Sequence, residues 1–119
     1  MSVFNRIFLD TAPIIYYVER KPKLFETMQF FLRQNISADY FTSVVSIAEY
    51  FPYPFKQANA KKLVEEFERF VSQTDLTIVN IDRGIAMMSA QIRSKYVHFK
   101  TMDALQLAAA LYTECDIFL

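Results

Sequence analysis

The chain is 119 residues long and 53% hydrophobic, enough for a core of its own and for a single domain over residues 1–119. Thirteen basic and thirteen acidic residues cancel, which excludes a global positive field for nucleic acid and leaves any phosphate binding to a local or metal-mediated site. The lone cysteine, Cys115, excludes an internal disulfide, and no apolar run approaches the ~20 residues that span a bilayer, so the expected setting is soluble and cytoplasmic with no membrane partner.

Residues Arg6 to Leu9 form a short apolar run that reads as a buried strand. Asp10 ends that run, so the N-terminus lacks the apolar region of a signal peptide. Thr11 is then a candidate N-cap, with Pro13 tolerated in a helix's first turn. Lys23 to Gln34 places Leu24, Met28, Phe31 and Leu32 on one helical face. The aromatic and β-branched stretch Tyr40 to Val45 predicts a second strand. Ala48 to Tyr50 reads as helix, which Pro52 and Pro54 in YFPYPF should break before it resumes over Ala60 to Gln73. Leu76 to Ile81 predicts a third strand, Asp82 caps a helix through Tyr96, Thr101 caps a last helix to about Glu114, and Ile117 to Leu119 begins another apolar run.

This alternation of strands and helix pairs predicts an α/β fold, a central parallel sheet with helices on both faces, because parallel strands require long crossovers. Gly84 is the only glycine, so neither the dinucleotide fingerprint nor the P-loop can be built, and a nucleotide cofactor is not expected.

Three acids stand where apolar segments give way to helices: Asp10 in FLDTAPIIYYVE, Glu49 in TSVVSIAEYF and Asp103 in KTMDALQLAAA. Taken singly, each reads as capping. Ser46 and Glu49 fit an S-x-x-E capping box, and Asp10 and Asp103 suit helix N-termini, which favour negative charge. Taken together, they point elsewhere. In an open parallel sheet the carboxyl ends of the strands share one edge, where ligands bind at the switch point of strand order. Carboxylates gathered there repel one another, and a divalent cation relieves the repulsion. With no histidine or cysteine among them, an oxygen-only set suits Mg²⁺ or Mn²⁺ rather than Zn²⁺. Such an ion is equipped for phosphodiester hydrolysis.

Those three segments, with IDRGIAMMSAQIRSKY and the rest of KTMDALQLAAALYTECDIFL, resemble in order and spacing the signature segments of PIN-domain ribonucleases, especially the VapC-like toxins. The resemblance spans nearly the whole chain. It implies a three-layer α/β/α fold, Mg²⁺- or Mn²⁺-dependent endoribonuclease activity leaving a 5′-phosphate and a 3′-hydroxyl, and a homodimer silenced by a small antitoxin. Asp10 matches the first acid of the pattern, Thr11 the hydroxyl residue beside it, Glu49 the second acid and Asp103 the third. The family pattern continues past the strand that CDIFL matches, with a hydroxyl-and-acid segment and a final strand; here the sequence stops at Leu119, so a truncated C-terminal end and weakened catalysis are expected. Asp116 precedes that strand and is not expected to substitute for a fourth acid.

The alternative reading is a catalytically weak PIN-like module that binds RNA or a protein partner. A phosphatase using Asp10 as nucleophile is disfavoured, because Ala12 stands where a second acid is needed. His98, Arg93, Lys95 and Lys100 read as solvated surface, and Cys115 as small core filler. The aromatic cluster Tyr50, Phe51, Tyr53 and Phe55 reads first as core, with an exposed patch for a second subunit or an antitoxin segment as the sharper alternative.

Overall fold

Alternation along the first strand decides the layering. Ile7 and Leu9 pack into one apolar cluster and Phe8 into another, as the two-residue period of a strand requires. The second strand repeats the division, with Tyr40 on the first side and Phe41 on the second. Both faces of the sheet are apolar because both are covered by helices, the usual condition of a parallel sheet.

The computed structural model describes residues 2–119. In chain order the elements are β1 (Arg6–Phe8), α1 (Thr11–Val18), α2 (Leu24–Gln34), β2 (Asp39–Ser43), α3 (Val44–Tyr50), a 3₁₀ turn at Pro54–Lys56, α4 (Ala60–Thr74), β3 (Thr77–Val79), α5 (Arg83–Lys95), α6 (Thr101–Tyr112) and β4 (Ile117–Phe118). The four strands are parallel in the order β3-β2-β1-β4, so the order reverses between β1 and β4. Helices α1 to α4 cover one face, supplying Ile14, Val18, Met28, Tyr50, Phe67 and Phe70 to its core. Helices α5 and α6 cover the other with Ile85 and the run Ala108 to Ala110. The expected three-layer α/β/α arrangement is the observed one.

Several expected helix starts move. Asp10, not Thr11, is the N-cap of α1, its side chain accepting from the Thr11 amide at 2.8 Å. Thr101 is the first residue within α6, and Lys100 holds the N-cap position with no side-chain hydrogen bond. The capping box between Ser46 and Glu49 does not form, because α3 begins at Val44 with Ser43 as its cap. There the strand propensity of Val44 and Val45 yields to the Ser43 hydroxyl, which accepts from the Val45 amide at 3.1 Å. Asp82 does cap α5, accepting from the Ile85 amide at 2.8 Å. β3 is shorter than the stretch predicted for it, and α6 ends before Glu114, whose φ of 57° is left-handed.

The YFPYPF segment divides. Tyr50 and Phe51 are buried, whereas Tyr53 and Phe55 stand 52% and 69% exposed, which makes only the first pair core. Among the described residues, no helix is long and apolar enough to cross a membrane.

Candidate functional site

The carboxyl end of β1 is held from both sides. The Leu9 amide donates to the Phe41 carbonyl at 2.7 Å, on the β2 side, and the next amide, Asp10, donates to the Leu119 carbonyl at 2.8 Å, on the β4 side. Asp10 therefore leaves the sheet where strand order reverses, the place where open α/β sheets bind ligands.

Behind Asp10 lies a set of hydroxyls and one amide whose protons can be assigned, since each hydroxyl has a single proton to donate. The Thr42 hydroxyl donates to the Leu9 carbonyl at 2.7 Å, so Ser46 is the donor in its 2.8 Å contact with Thr42. Ser46 in turn accepts from Gln106 Nε2 at 2.8 Å. The second proton of that amide goes to Asp10 Oδ1 at 3.1 Å, while Gln106 Oε1 accepts from the Ser43 hydroxyl. The Thr11 hydroxyl lies 3.2 Å from Ser46 and 2.6 Å from Glu49 Oε1, and donates to the carboxylate. No buried side-chain polar atom among the described residues lacks a partner.

The three sequence-predicted acids reach this edge by different routes. Asp10 Oδ1 receives the Thr11 amide and the Gln106 amide. Glu49, exposed on α3, is tied to Asp10 through Thr11. Asp103, exposed in the first turn of α6, shares with Asp10 a cavity of about 300 Å³ completed by Phe99, Leu107 and Phe118. Glu49 lines a separate cavity of about 260 Å³ with Ile15, Tyr50 and Tyr53 among its neighbours. Among the described residues, no three Asp, Glu, His or Cys side chains close into a metal-binding group. The acids thus occupy one edge as two linked pairs, Asp10 with Glu49 and Asp10 with Asp103.

The donor set nonetheless fits a hard cation. All its atoms are oxygen, and among the described residues none of the three carboxylates pairs with a lysine or arginine. Asp10 Oδ2, Glu49 Oε2 and both Asp103 oxygens accept no protein hydrogen bond from those residues. Mg²⁺, Mn²⁺ and Ca²⁺ prefer oxygen ligands of this kind.

Gln106 is the residue that sequence reasoning passed over. It is 1% exposed in an otherwise apolar stretch, ALQLAAA, and a glutamine on the inward face of an alanine-rich helix signals a buried polar partner. In the sequence Ser46 reads as a cap, and Thr42 and Ser43 as part of a strand. Asp116 lies at the opposite edge, its Oδ2 accepting from the Asn5 and Arg6 amides at 2.8 and 2.9 Å. His98 is exposed and stacks on Phe99 with ring centroids 5.1 Å apart. Burial pushes the half-buried Cys115 thiol up, away from thiolate chemistry, although Thr113 and Arg6 pull the other way.

A PIN domain model matches residues 7–118 of the sequence. The chain belongs to the PIN domain family. The backbone of this PIN domain is similar to VapBC2 from Rickettsia felis bound to a DNA fragment from its promoter, with 14% identity, a TM-score of 0.72, and coverage of 92% of this chain and 83% of that one. FitAcB from Neisseria gonorrhoeae is 26% identical over 91% of this chain and 82% of its own, with a TM-score of 0.70. VapC20 from Mycobacterium tuberculosis, a sarcin–ricin loop cleaving toxin, is 11% identical over 94% and 86% of the two chains, with a TM-score of 0.72. No curated protein matches the sequence. The resemblance to VapC-like PIN domains and the PIN-like fold are both borne out.

Proposed function

We propose that this PIN domain is a Mg²⁺- or Mn²⁺-dependent endoribonuclease, acting in the cytoplasm as a homodimeric toxin restrained by a small antitoxin. The observation that carries the reading is the position of Asp10, Glu49 and Asp103 along the sheet edge where strand order reverses, with none of them paired to a lysine or arginine among the described residues. Asp10, Glu49 and Asp103 would hold the ion. Bound there, such an ion would supply Lewis-acid polarisation of a phosphodiester oxygen and activation of a water, chemistry suited to hydrolysis that leaves a 5′-phosphate and a 3′-hydroxyl. The protein's part is orientation. Thr11 holds Glu49 by its hydroxyl and Asp10 by its amide, which favours one orientation of each carboxylate. The cavity shared by Asp10 and Asp103 offers room beside them for substrate. The toxin and antitoxin assignment is supported by the VapBC assemblies among the structural neighbours, and the dimer by the exposed Tyr53 and Phe55. One domain, residues 1–119, would contain all of this.

A second reading, a PIN-like module that binds RNA or protein and cleaves weakly, is favoured by one observation. Among the described residues the acids do not close into a three-carboxylate group, and Glu49 Oε1 is engaged by Thr11. Incubating the purified protein with a structured RNA, with and without Mn²⁺, separates the two. The nuclease reading expects Mn²⁺-dependent fragments ending in 5′-phosphate; binding without cleavage at saturating Mn²⁺ selects the second.

A further inference from the structure

We infer that Gln106 is a positioning residue for the metal site, orienting the Asp10 carboxylate through one amide proton and fixing the distance from Asp10 to Asp103 through α6, the helix that Gln106 shares with Asp103. The inference rests on the metal-dependent reading above and adds a residue to it.

The amide has a defined orientation. Ser43 accepts from the Val45 amide as the cap of α3 and gives its hydroxyl proton to Gln106 Oε1, while the Nε2 end faces Ser46 and the Asp10 carboxylate. Turning the amide over would leave Asp10 Oδ1, which can only accept, facing the Gln106 oxygen. The side chain is 1% exposed, so water cannot take its place. A hydrogen bond to an ionised carboxylate is roughly twice as strong as a neutral one, and here it falls on Oδ1 together with the Thr11 amide. Oδ2 accepts no protein hydrogen bond among the described residues, which leaves it free for an ion.

The second consequence concerns Asp103. It lies three residues before Gln106 on α6, hence on the same helical face. The bond from Gln106 to Asp10 joins α6 directly to the end of β1, and those from Gln106 to Ser43 and Ser46 join it to the start of α3, the helix that carries Glu49. One buried amide therefore links the three segments that carry the three acids. A structural polar contact would need only satisfied partners. This one also sets which oxygen of Asp10 remains free.

Gln106→Met preserves length and packing but removes both donors. Loss of an outer partner of a metal ligand weakens metal affinity by about 10- to 100-fold, and that loss is expected for Mn²⁺ binding to Gln106→Met measured by calorimetry. A folded Gln106→Met protein, checked by its thermal transition, that binds Mn²⁺ as tightly as the wild type overturns the inference. Asp10→Asn serves as the reference: if it too binds Mn²⁺ like the wild type, the metal reading fails, whereas loss of binding in Asp10→Asn alone defeats only the role given to Gln106. Should Gln106→Met not fold, the wild-type chain still decides. Its Gln106 side-chain amide signal, followed by ¹⁵N–¹H NMR during Mg²⁺ addition, is expected to shift until the site saturates, and a signal that stays fixed overturns the inference.

Discussion

The Thr11 hydroxyl donates to Glu49 Oε1 at 2.6 Å across 38 residues of sequence, while the Thr11 amide donates to Asp10 Oδ1 at 2.8 Å. One small residue thus touches two acids carried by two different elements. The bond to Glu49 is exposed to water, so its value lies in direction rather than in stability.

Thr11→Val keeps the β-branched shape and the amide while removing the hydroxyl. The loss in stability should be small, at most about 1 kcal/mol for an exposed hydrogen bond. RNA cleavage in Mn²⁺ should fall several-fold as Glu49 is released. Thermal unfolding and initial cleavage rates measured on the same preparation check both; an unchanged rate would remove Thr11 from the site.

Asp10→Asn and Asp10→Ala should part company. Asparagine still offers an oxygen to the Thr11 and Gln106 amides and caps a helix as well as aspartate does, so the fold should hold while cleavage is abolished. Alanine loses the cap as well, at a cost of about 1 kcal/mol. Equal stability of the two variants would show that capping at position 10 contributes little, and wild-type cleavage by Asp10→Asn would exclude Asp10 as a ligand.

Tyr53 and Phe55 project from the turn after α3 at 52% and 69% exposure, apolar surface that a second copy would bury. The chain is expected to sediment as a dimer at micromolar concentration, and Phe55→Glu to shift it toward monomer without lowering the thermal transition of the monomer. A wild-type chain that is monomeric well above that range removes the claim.

Asp116 gives the stability a defined acid limb. The Arg6 and Asn5 amides that donate to it, with the Arg6 charge, hold its carboxyl below the ordinary aspartate value of 3.8. A carboxyl whose pKa is lowered on folding contributes stability above its unfolded pKa and loses it as pH falls through the folded one. The melting temperature should therefore drop as pH falls below about 3.8, and Asp116→Asn, which keeps an acceptor for both amides, should flatten that part of the curve. Cleavage measured at neutral pH should not change, since Asp116 lies at the opposite edge of the sheet from Asp10.

The order of elements was legible in the sequence because it depends on local periodicity: alternation in the strands, a three-to-four spacing in the helices, proline where a helix had to end. The candidate acids could be picked from the sequence too, since Asp10, Glu49 and Asp103 interrupt apolar segments, and their role as ligands is the proposal made above. Where α3 begins was not, because Ser43 becomes a cap only where strand pairing ends and the next helix docks, and pairing is a relation between distant segments. Gln106 was hidden for the same reason. Its partners lie 96, 63 and 60 residues away at Asp10, Ser43 and Ser46, and a buried amide is explained only by the groups that satisfy it. Residue type and spacing determined which side chains were available for chemistry, whereas strand order, a property of how two apolar faces pack and not of any local window, decided which of them meet.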